Sequence, residues 1–248
     1  MIELKTKHQI ELMREAGRVS ANALRAAGAA VVPGATTAEI DAAAKEYILS
    51  QGAKPSFLGY NGFPATACIS VNNEVIHGIP GHRKIQNGDI VSIDVGAILS
   101  GYHGDNAATF AAGDISPAAQ KLLTATQQSL MAGIKAAVAG ARLGDVGSTI
   151  AQFVEAQGFS VVRQYVGHGI GREMHMEPDV PNYGRPGRGI RLVPGMTIAI
   201  EPMVNEGTYQ VKTQSNGWTV VTMDGKLSAH FEHTIAITSD GPMILTLP

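Results

Sequence analysis

The sequence predicts an α+β fold made of two similar halves that share one sheet, and three observations predict it. Helical periodicity gives way to short alternating runs twice along the chain, first near Pro64 and again near Gly158. Turn signals at Ser100-Gly101 and Asp224-Gly225 fall between alternating runs, which marks antiparallel hairpins. The 248 residues, 44% of them hydrophobic, suffice for one large core. Area scaling gives roughly 10,500 Å² of folded surface, with about 70% of the unfolded chain's surface buried. No residue-level repeat is visible, so the duplication rests on the order of elements alone. A single catalytic domain spanning residues 1–248 is the expected organisation.

The first helix is expected from about residue 8 to 30, with Ile10, Met13, Gly17 and Leu24 near helical spacing and Pro33-Gly34 beyond its end. Thr37 is placed to cap a second helix carrying Ile40, Ala44, Tyr47 and Ile48, with Gly52 closing it. Strands are expected at 66–71, 89–99 and 102–111. Ser116-Pro117 reads as the cap and first residue of a third helix running to about 139, and a fourth fits 145–157. Strands return at 159–166, 196–204, 218–223 and 227–238, and the Pro/Gly-rich stretch 178–195 reads as a long loop.

Composition excludes several classes of function. A formal charge of −2 leaves no electrostatic footprint for nucleic acid or anionic lipid. One cysteine, Cys68, allows neither an internal disulfide framework nor a Cys-rich zinc module. Glu3, Lys5, Lys7 and Glu11 rule out a signal-peptide core, and the apolar run 26–32 is far short of the roughly 20 residues that span a bilayer. A cytoplasmic monomer with no nucleic-acid or membrane partner is expected.

Splitting each strand by its period of two exposes the chemistry. Asp94 shares a face with Ser92 and Gly96, opposite Val91, Ile93 and Val95. Asp105 lines up with His103, Ala107 and Thr109, and its opposite face, Tyr102, Gly104 and Asn106, is less clearly apolar. Glu201 falls with Thr197 and Ala199, opposite Ile198 and Ile200. Glu232 falls with Ser228, His230 and Thr234, opposite Phe231, Ile235 and Ile237. Four carboxylates therefore sit mid-strand among small or polar residues, and Lys and Arg are absent from these strands. Buried unpaired carboxylates cost several kcal/mol each, so a cation must meet them. Four negative charges over-compensate one divalent ion but neutralise two, and two metals holding a water between them generate a nucleophile at neutral pH. Asp94 and Asp105 flank the Ser100-Gly101 turn almost symmetrically, so they face each other within a residue or two. His168, set between Gly167 and Gly169, is the expected nitrogen ligand. One imidazole among oxygen donors suits Co, Mn, Fe(II) or Zn.

Other patterns weigh less. His103-x-Asp105 with His168 could form an iron facial triad, but this leaves Asp94, Glu201 and Glu232 unexplained. The glycines around His168 lack the lysine and spacing of a phosphate loop. Cys68 has no base nearby in sequence and reads as core, Met174 and Met176 as pocket or core filler, and His8, His82 and His233 as surface or structural residues.

The chain resembles the type I methionine aminopeptidases nearly end to end. The likeness is carried by His77-Gly78-Ile79-Pro80, Ile93-Asp94-Val95, Gly101-Tyr102-His103-Gly104-Asp105, Gly167-His168-Gly169-Ile170-Gly171-Arg172, Ile200-Glu201-Pro202 and Glu232-His233-Thr234. The resemblance implies a pita-bread fold, with pseudo-two-fold halves and a curved antiparallel sheet covered by helices. It implies two divalent metal ions on Asp94, Asp105, His168, Glu201 and Glu232, with Asp105 and Glu232 bridging and a metal-bridging hydroxide as nucleophile. His77 is then expected to bond the substrate, His175 to stabilise the tetrahedral intermediate, and Glu201 to shuttle protons as well. The methionine pocket maps onto Phe57, Tyr60, Phe63, Cys68, Met174 and Trp218. Here the chain departs from the family, with Met174 and Met176 flanking His175 and Phe63 where Tyr is common. A structural monovalent cation is implied near Asn72 and Ser228. The implied activity is removal of the initiator methionine from nascent polypeptide N-termini at the ribosome when the second residue is small. Ile2 is bulky, so this chain is expected to keep Met1. X-Pro peptidases of the same fold usually carry a further N-terminal domain, and the fold also serves as a binding module whose degenerate members lose ligands. All five ligands stand here.

Overall fold

The computed structural model describes residues 2–248, so the expected retention of Met1 lies outside the described residues. Thr6 and Gln9 exchange side-chain and backbone hydrogen bonds to cap α1 (Lys7–Ala29). Thr36 and Glu39 cap α2 (Thr37–Ser50) in the same way. The cap is thus one residue earlier than expected, because the Thr37 hydroxyl is turned inward and donates to the Gly81 carbonyl at 3.1 Å. The first half continues through β1 (Lys54–Pro55), β2 (Ala67–Val71), β3 (Glu74–Ile76), β4 (Ile90–Leu99) and β5 (Tyr102–Ala111), with a 3-10 turn at Tyr60–Gly62. The second half opens with α3 (Pro117–Ala136), capped by Ser116, and α4 (Leu143–Ala156). There follow β6 (Ser160–Val161), β7 (Gly167–Gly169), β8 (Met176–Val180), β9 (Thr197–Ile200) and β10 (Met203–Asn205). The chain ends with β11 (Val211–Thr213), β12 (Val220–Thr222), β13 (Ser228–His230), β14 (Glu232–Thr238) and β15 (Gly241–Ile244).

Nine strands form one antiparallel sheet ordered β1-β4-β5-β14-β9-β7-β8, with β2 on β4 and β15 on β14. Two three-stranded sheets, β13-β10-β6 and β11-β12-β3, complete the molecule. Each half buries its own helix pair against the apolar face of this sheet. Val91, Ile93, Val95 and Ala97 of β4 pack under α1 and α2. Ile198, Ile200, Ile235 and Ile237 pack under α3 and α4. The face of β5 that alternation left ambiguous is buried too. Gly104 meets Gly17 of α1 so closely that a Cβ there would lie 2.4 Å from its Cα, and Asn106 accepts a hydrogen bond from Ser20. The accessible surface, 10565 Å², matches the scaling expectation.

Two long strands expected from alternation are broken, and at one place. The 196–204 run splits at Glu201-Pro202, and the 227–238 run splits at Phe231. Both chains pass there from the large sheet to the small one, still paired: Ile200 opposes His233 before the break and Met203 opposes His230 after it. Pro202 has no N–H to give a ladder, which favours the hand-over at that point. The expected strand at 159–166 shrinks to Ser160–Val161, while the supposed loop from 178 begins inside β8, which pairs with β7. Helix α3 stops at Ala136, and α4 starts at Leu143, with Asp145 inside its first turn accepting from the Arg142 N–H at 2.7 Å.

Candidate metal centre and active site

Register sets the acidic residues in one row across the sheet. Asp94 opposes Cys68 on one side and Ala107 on the other, and Ala107 in turn opposes Glu232. Asp105 opposes Gly96, two residues from Asp94, so the hairpin brings the two aspartates to the near-opposition expected of them. Glu201 enters from the strand break, held there by Asn182, whose amide donates to the Glu201 carbonyl at 3.0 Å.

His168 comes from β7, where the strands crowd. A Cβ on Gly167 would lie 2.3 Å from the Ala199 oxygen, and one on Gly169 2.2 Å from the Glu177 oxygen, so glycine is required at both. The Nδ1 atom lies 2.9 Å from the Gly169 carbonyl oxygen. A carbonyl can only accept, so Nδ1 carries the proton and Nε2 presents its lone pair. That lone pair faces Asp105 Oδ2 at 3.7 Å and Glu201 Oε1 at 3.6 Å.

This arrangement fits a divalent cation. Asp94 Oδ1, Asp105 Oδ1 and Glu232 Oε1 are buried without hydrogen-bond partners, and the His168 lone pair faces the same centre. Donor atoms of Asp105, His168 and Glu232 lie within 4.8 Å of one another, and so do those of Glu201, His230 and Glu232. Burial pushes Asp94 up to about 7 and Glu201 to about 8, and burial plus mutual repulsion holds Asp105 and Glu232 well above the usual carboxylate range. Burial also drives His168 down to about 3, so it is a neutral imidazole. A divalent cation would hold these carboxylates ionised and bind the neutral imidazole through its Nε2 lone pair.

The thirteen residues expected in the site all line one cavity of about 170 Å³. Beside the five expected ligands stand His77 and His175, then Phe57, Tyr60, Phe63, Cys68, Met174 and Trp218. Phe63 meets Trp218 edge-on at 5.2 Å, and His77 approaches Trp218 at 6.3 Å and Tyr165 at 5.9 Å. His77 adopts φ +58°, and burial takes it down to about 4. The next residue, Gly78, runs so close to β2 that a Cβ would lie 2.1 Å from the Ile69 oxygen. His175 stacks beside His168 at 4.3 Å and meets the Tyr60 hydroxyl at 2.8 Å through Nδ1. Cys68 is buried and free.

Two residues are additions. Asn61 joins the cavity wall, with no signal in the sequence. His230 is buried, its Nε2 lacks a partner, and it faces Glu201 Oε2 at 3.7 Å. Alternation places His230 in line with Glu232, but the expected ligand set omits it. His103, by contrast, stands apart: Nδ1 pairs with the Ser56 hydroxyl at 2.9 Å, and the ring lines a separate cleft with Lys54 and Arg172. The facial triad is therefore not assembled. Asn72 and Ser228 do meet, the Ser228 N–H donating to the Asn72 carbonyl at 2.9 Å.

A pita-bread sheet with carboxylates and an imidazole gathered at its centre defines a metal-dependent hydrolase, and the chain belongs to metallopeptidase family M24, whose model matches residues 11–239. It is similar to the methionine aminopeptidase of Clostridium acetobutylicum, 56% identical over 248 residues that cover 100% of this chain and 99% of that protein. The solved methionine aminopeptidase of Thermotoga maritima superposes with a TM-score of 0.98 at 46% identity, each chain covered fully. The Xaa-Pro dipeptidase of Bacillus anthracis shares the fold alone, with 22% identity, a TM-score of 0.79, and 99% of this chain matched to 62% of that one. Among the described residues no helix is long and apolar enough to cross a membrane.

Proposed function

We propose that the chain is an aminopeptidase that removes the N-terminal methionine from proteins and peptides whose second residue is small. The observation that carries the reading is the single cavity that joins a carboxylate–imidazole centre to an apolar wall of Phe57, Phe63, Met174 and Trp218. An unbranched thioether fits such a wall, and the free amine and scissile carbonyl then lie at the charged end.

Asp94, Asp105, His168, Glu201 and Glu232 would hold two divalent ions drawn from Co, Mn, Fe(II) or Zn. Glu232 belongs to both close donor groups, and Asp105 stands between Asp94 and His168, which supports these two as the shared ligands. When bound, the ions supply Lewis-acid polarisation of the carbonyl and a water acidic enough to act as nucleophile near pH 7. The chain's own residues do the rest. Glu201 takes a proton from the attacking water and returns it to the leaving amine, His77 hydrogen-bonds the peptide at the scissile bond, and His175 donates to the oxygen on which negative charge develops. The aromatic wall excludes water and orients the side chain. Residues 1–248 act as one catalytic domain, because the two halves contribute ligands to the same centre. The contact between Asn72 and Ser228 is the place for a structural monovalent cation. A cytoplasmic monomer acting on nascent N-termini at the ribosome completes the reading.

Metal-stripped protein is tested for release of free methionine from Met-Ala-Ser, with and without Co or Mn. Met-Ile-Ser and Ala-Pro-Ser run alongside. Metal-dependent cleavage of Met-Ala-Ser alone is expected. Cleavage of Ala-Pro-Ser instead moves the chain to the X-Pro branch, and metal binding without any cleavage makes it a binding module.

A further inference from the structure

Tyr60 enters the site as part of the apolar wall, yet its hydroxyl is not idle. It lies 2.8 Å from His175 Nδ1, with the two rings 5.2 Å apart and tilted by only 30°. The loop that carries it is built to hold it there. Phe57 and Phe63 are buried at its two ends, 7% and 3% exposed. Between them the Tyr60 N–H donates to the Phe57 carbonyl at 2.9 Å, the Phe63 N–H to the Tyr60 carbonyl at 2.9 Å, and the Gly59 N–H to the Phe63 carbonyl at 2.8 Å. Gly59 and Gly62 take φ of +82° and +87°, which closes a turn this tight.

The direction of the Tyr60–His175 bond decides what His175 can do. A neutral imidazole carries one N–H, and the nitrogen that accepts a hydrogen bond is not the one that bears it. For His175 to donate from Nε2, as its role in the reaction requires, its Nδ1 must be the accepting nitrogen. The Tyr60 hydroxyl, 2.8 Å from that nitrogen, is the donor within reach. We propose that Tyr60 is a positioning residue: its hydroxyl donates to His175 Nδ1 and holds His175 as the Nε2–H tautomer, the form that can donate a hydrogen bond to the oxygen of the tetrahedral intermediate. The inference rests on the role of His175 proposed above and adds what sets that role.

A residue that merely walls the pocket keeps its function as phenylalanine, so Tyr60→Phe separates the two roles. In the metal-loaded enzyme, kcat on Met-Ala-Ser should fall about tenfold in Tyr60→Phe with KM nearly unchanged, the effect of one lost hydrogen bond felt mainly in the transition state. His175→Ala should lose more than about 100-fold, and the double variant should be no worse than His175→Ala alone. The tautomer is read directly by ring-nitrogen NMR of the zinc-loaded protein. His175 Nδ1 should show the unprotonated signature in wild type and a mixed one in Tyr60→Phe. A wild-type spectrum with the proton on Nδ1 overturns the inference, as does an unimpaired Tyr60→Phe beside a crippled His175→Ala. Full activity in His175→Ala would instead take away the role of His175 itself.

Discussion

Asp94 and Glu232 stand on either side of Ala107, each directly opposite it in the sheet register, so the smallest chiral side chain separates two of the acidic residues. Ala107 is 3% exposed and points to their face, which makes its volume part of the proposed metal centre's geometry. Ala107→Val suits a strand and leaves the ladder intact, but its added methyls press into the gap between the carboxylates. A displacement on the order of 1 Å is enough to lower kcat/KM about 100-fold. Circular dichroism should remain that of the parent. Undiminished activity in Ala107→Val would show that the row of acidic residues tolerates spreading.

Glu232→Gln is expected to act in opposite directions on function and stability. It removes the carboxylate common to both donor groups, so metal affinity should fall by more than about 100-fold, with activity lost in parallel. It also removes one of the buried like charges that raise one another, so the metal-free variant should melt higher than the metal-free parent at pH 8. Metal titration and calorimetry read the two effects separately.

Stability should depend on pH differently with and without metal. Asp94 near 7 and Glu201 near 8 are raised by burial above their unfolded values, so the metal-free folded protein holds protons that the unfolded chain has already released. That contribution is present at low pH and is lost as pH rises toward 8. The depressed His77 and His168 act oppositely, but only below their unfolded value of 6.5. Between pH 6.5 and about 8.5 the carboxylates therefore decide the sign, and the Tm of chelator-treated protein should fall. Saturating Mn should flatten that slope, because bound metal keeps the carboxylates ionised.

Phe63→Ala tests the apolar wall. Phe63 is buried and braces Trp218 edge-on, so truncation opens the pocket without touching the acidic centre. KM for Met-Ala-Ser should rise about tenfold through lost apolar contact, with kcat changed much less. Metal content should be unaltered. A variant that loses kcat at constant KM would place Phe63 in the chemistry instead.

The sequence by itself determined the helices, the Ser100-Gly101 hairpin, and which face of each strand is acidic. Those follow from local rules: capping pairs, turn residues, and a side-chain period that alternation writes directly into the residues. It also placed Asp94 near Asp105, because a two-residue turn leaves a hairpin little freedom of register. Only the tertiary structure decided how Glu201 and Glu232 meet. Alternation reads straight through Glu201-Pro202 and Phe231, yet both chains leave the large sheet there, side by side, and the break sets Glu201 facing His168 and His230. The same holds for His230 and Asn61, whose neighbours come from distant parts of the chain. Which strand pairs with which is set by the total apolar burial of two packed halves, a sum over residues far apart in sequence that no local pattern records.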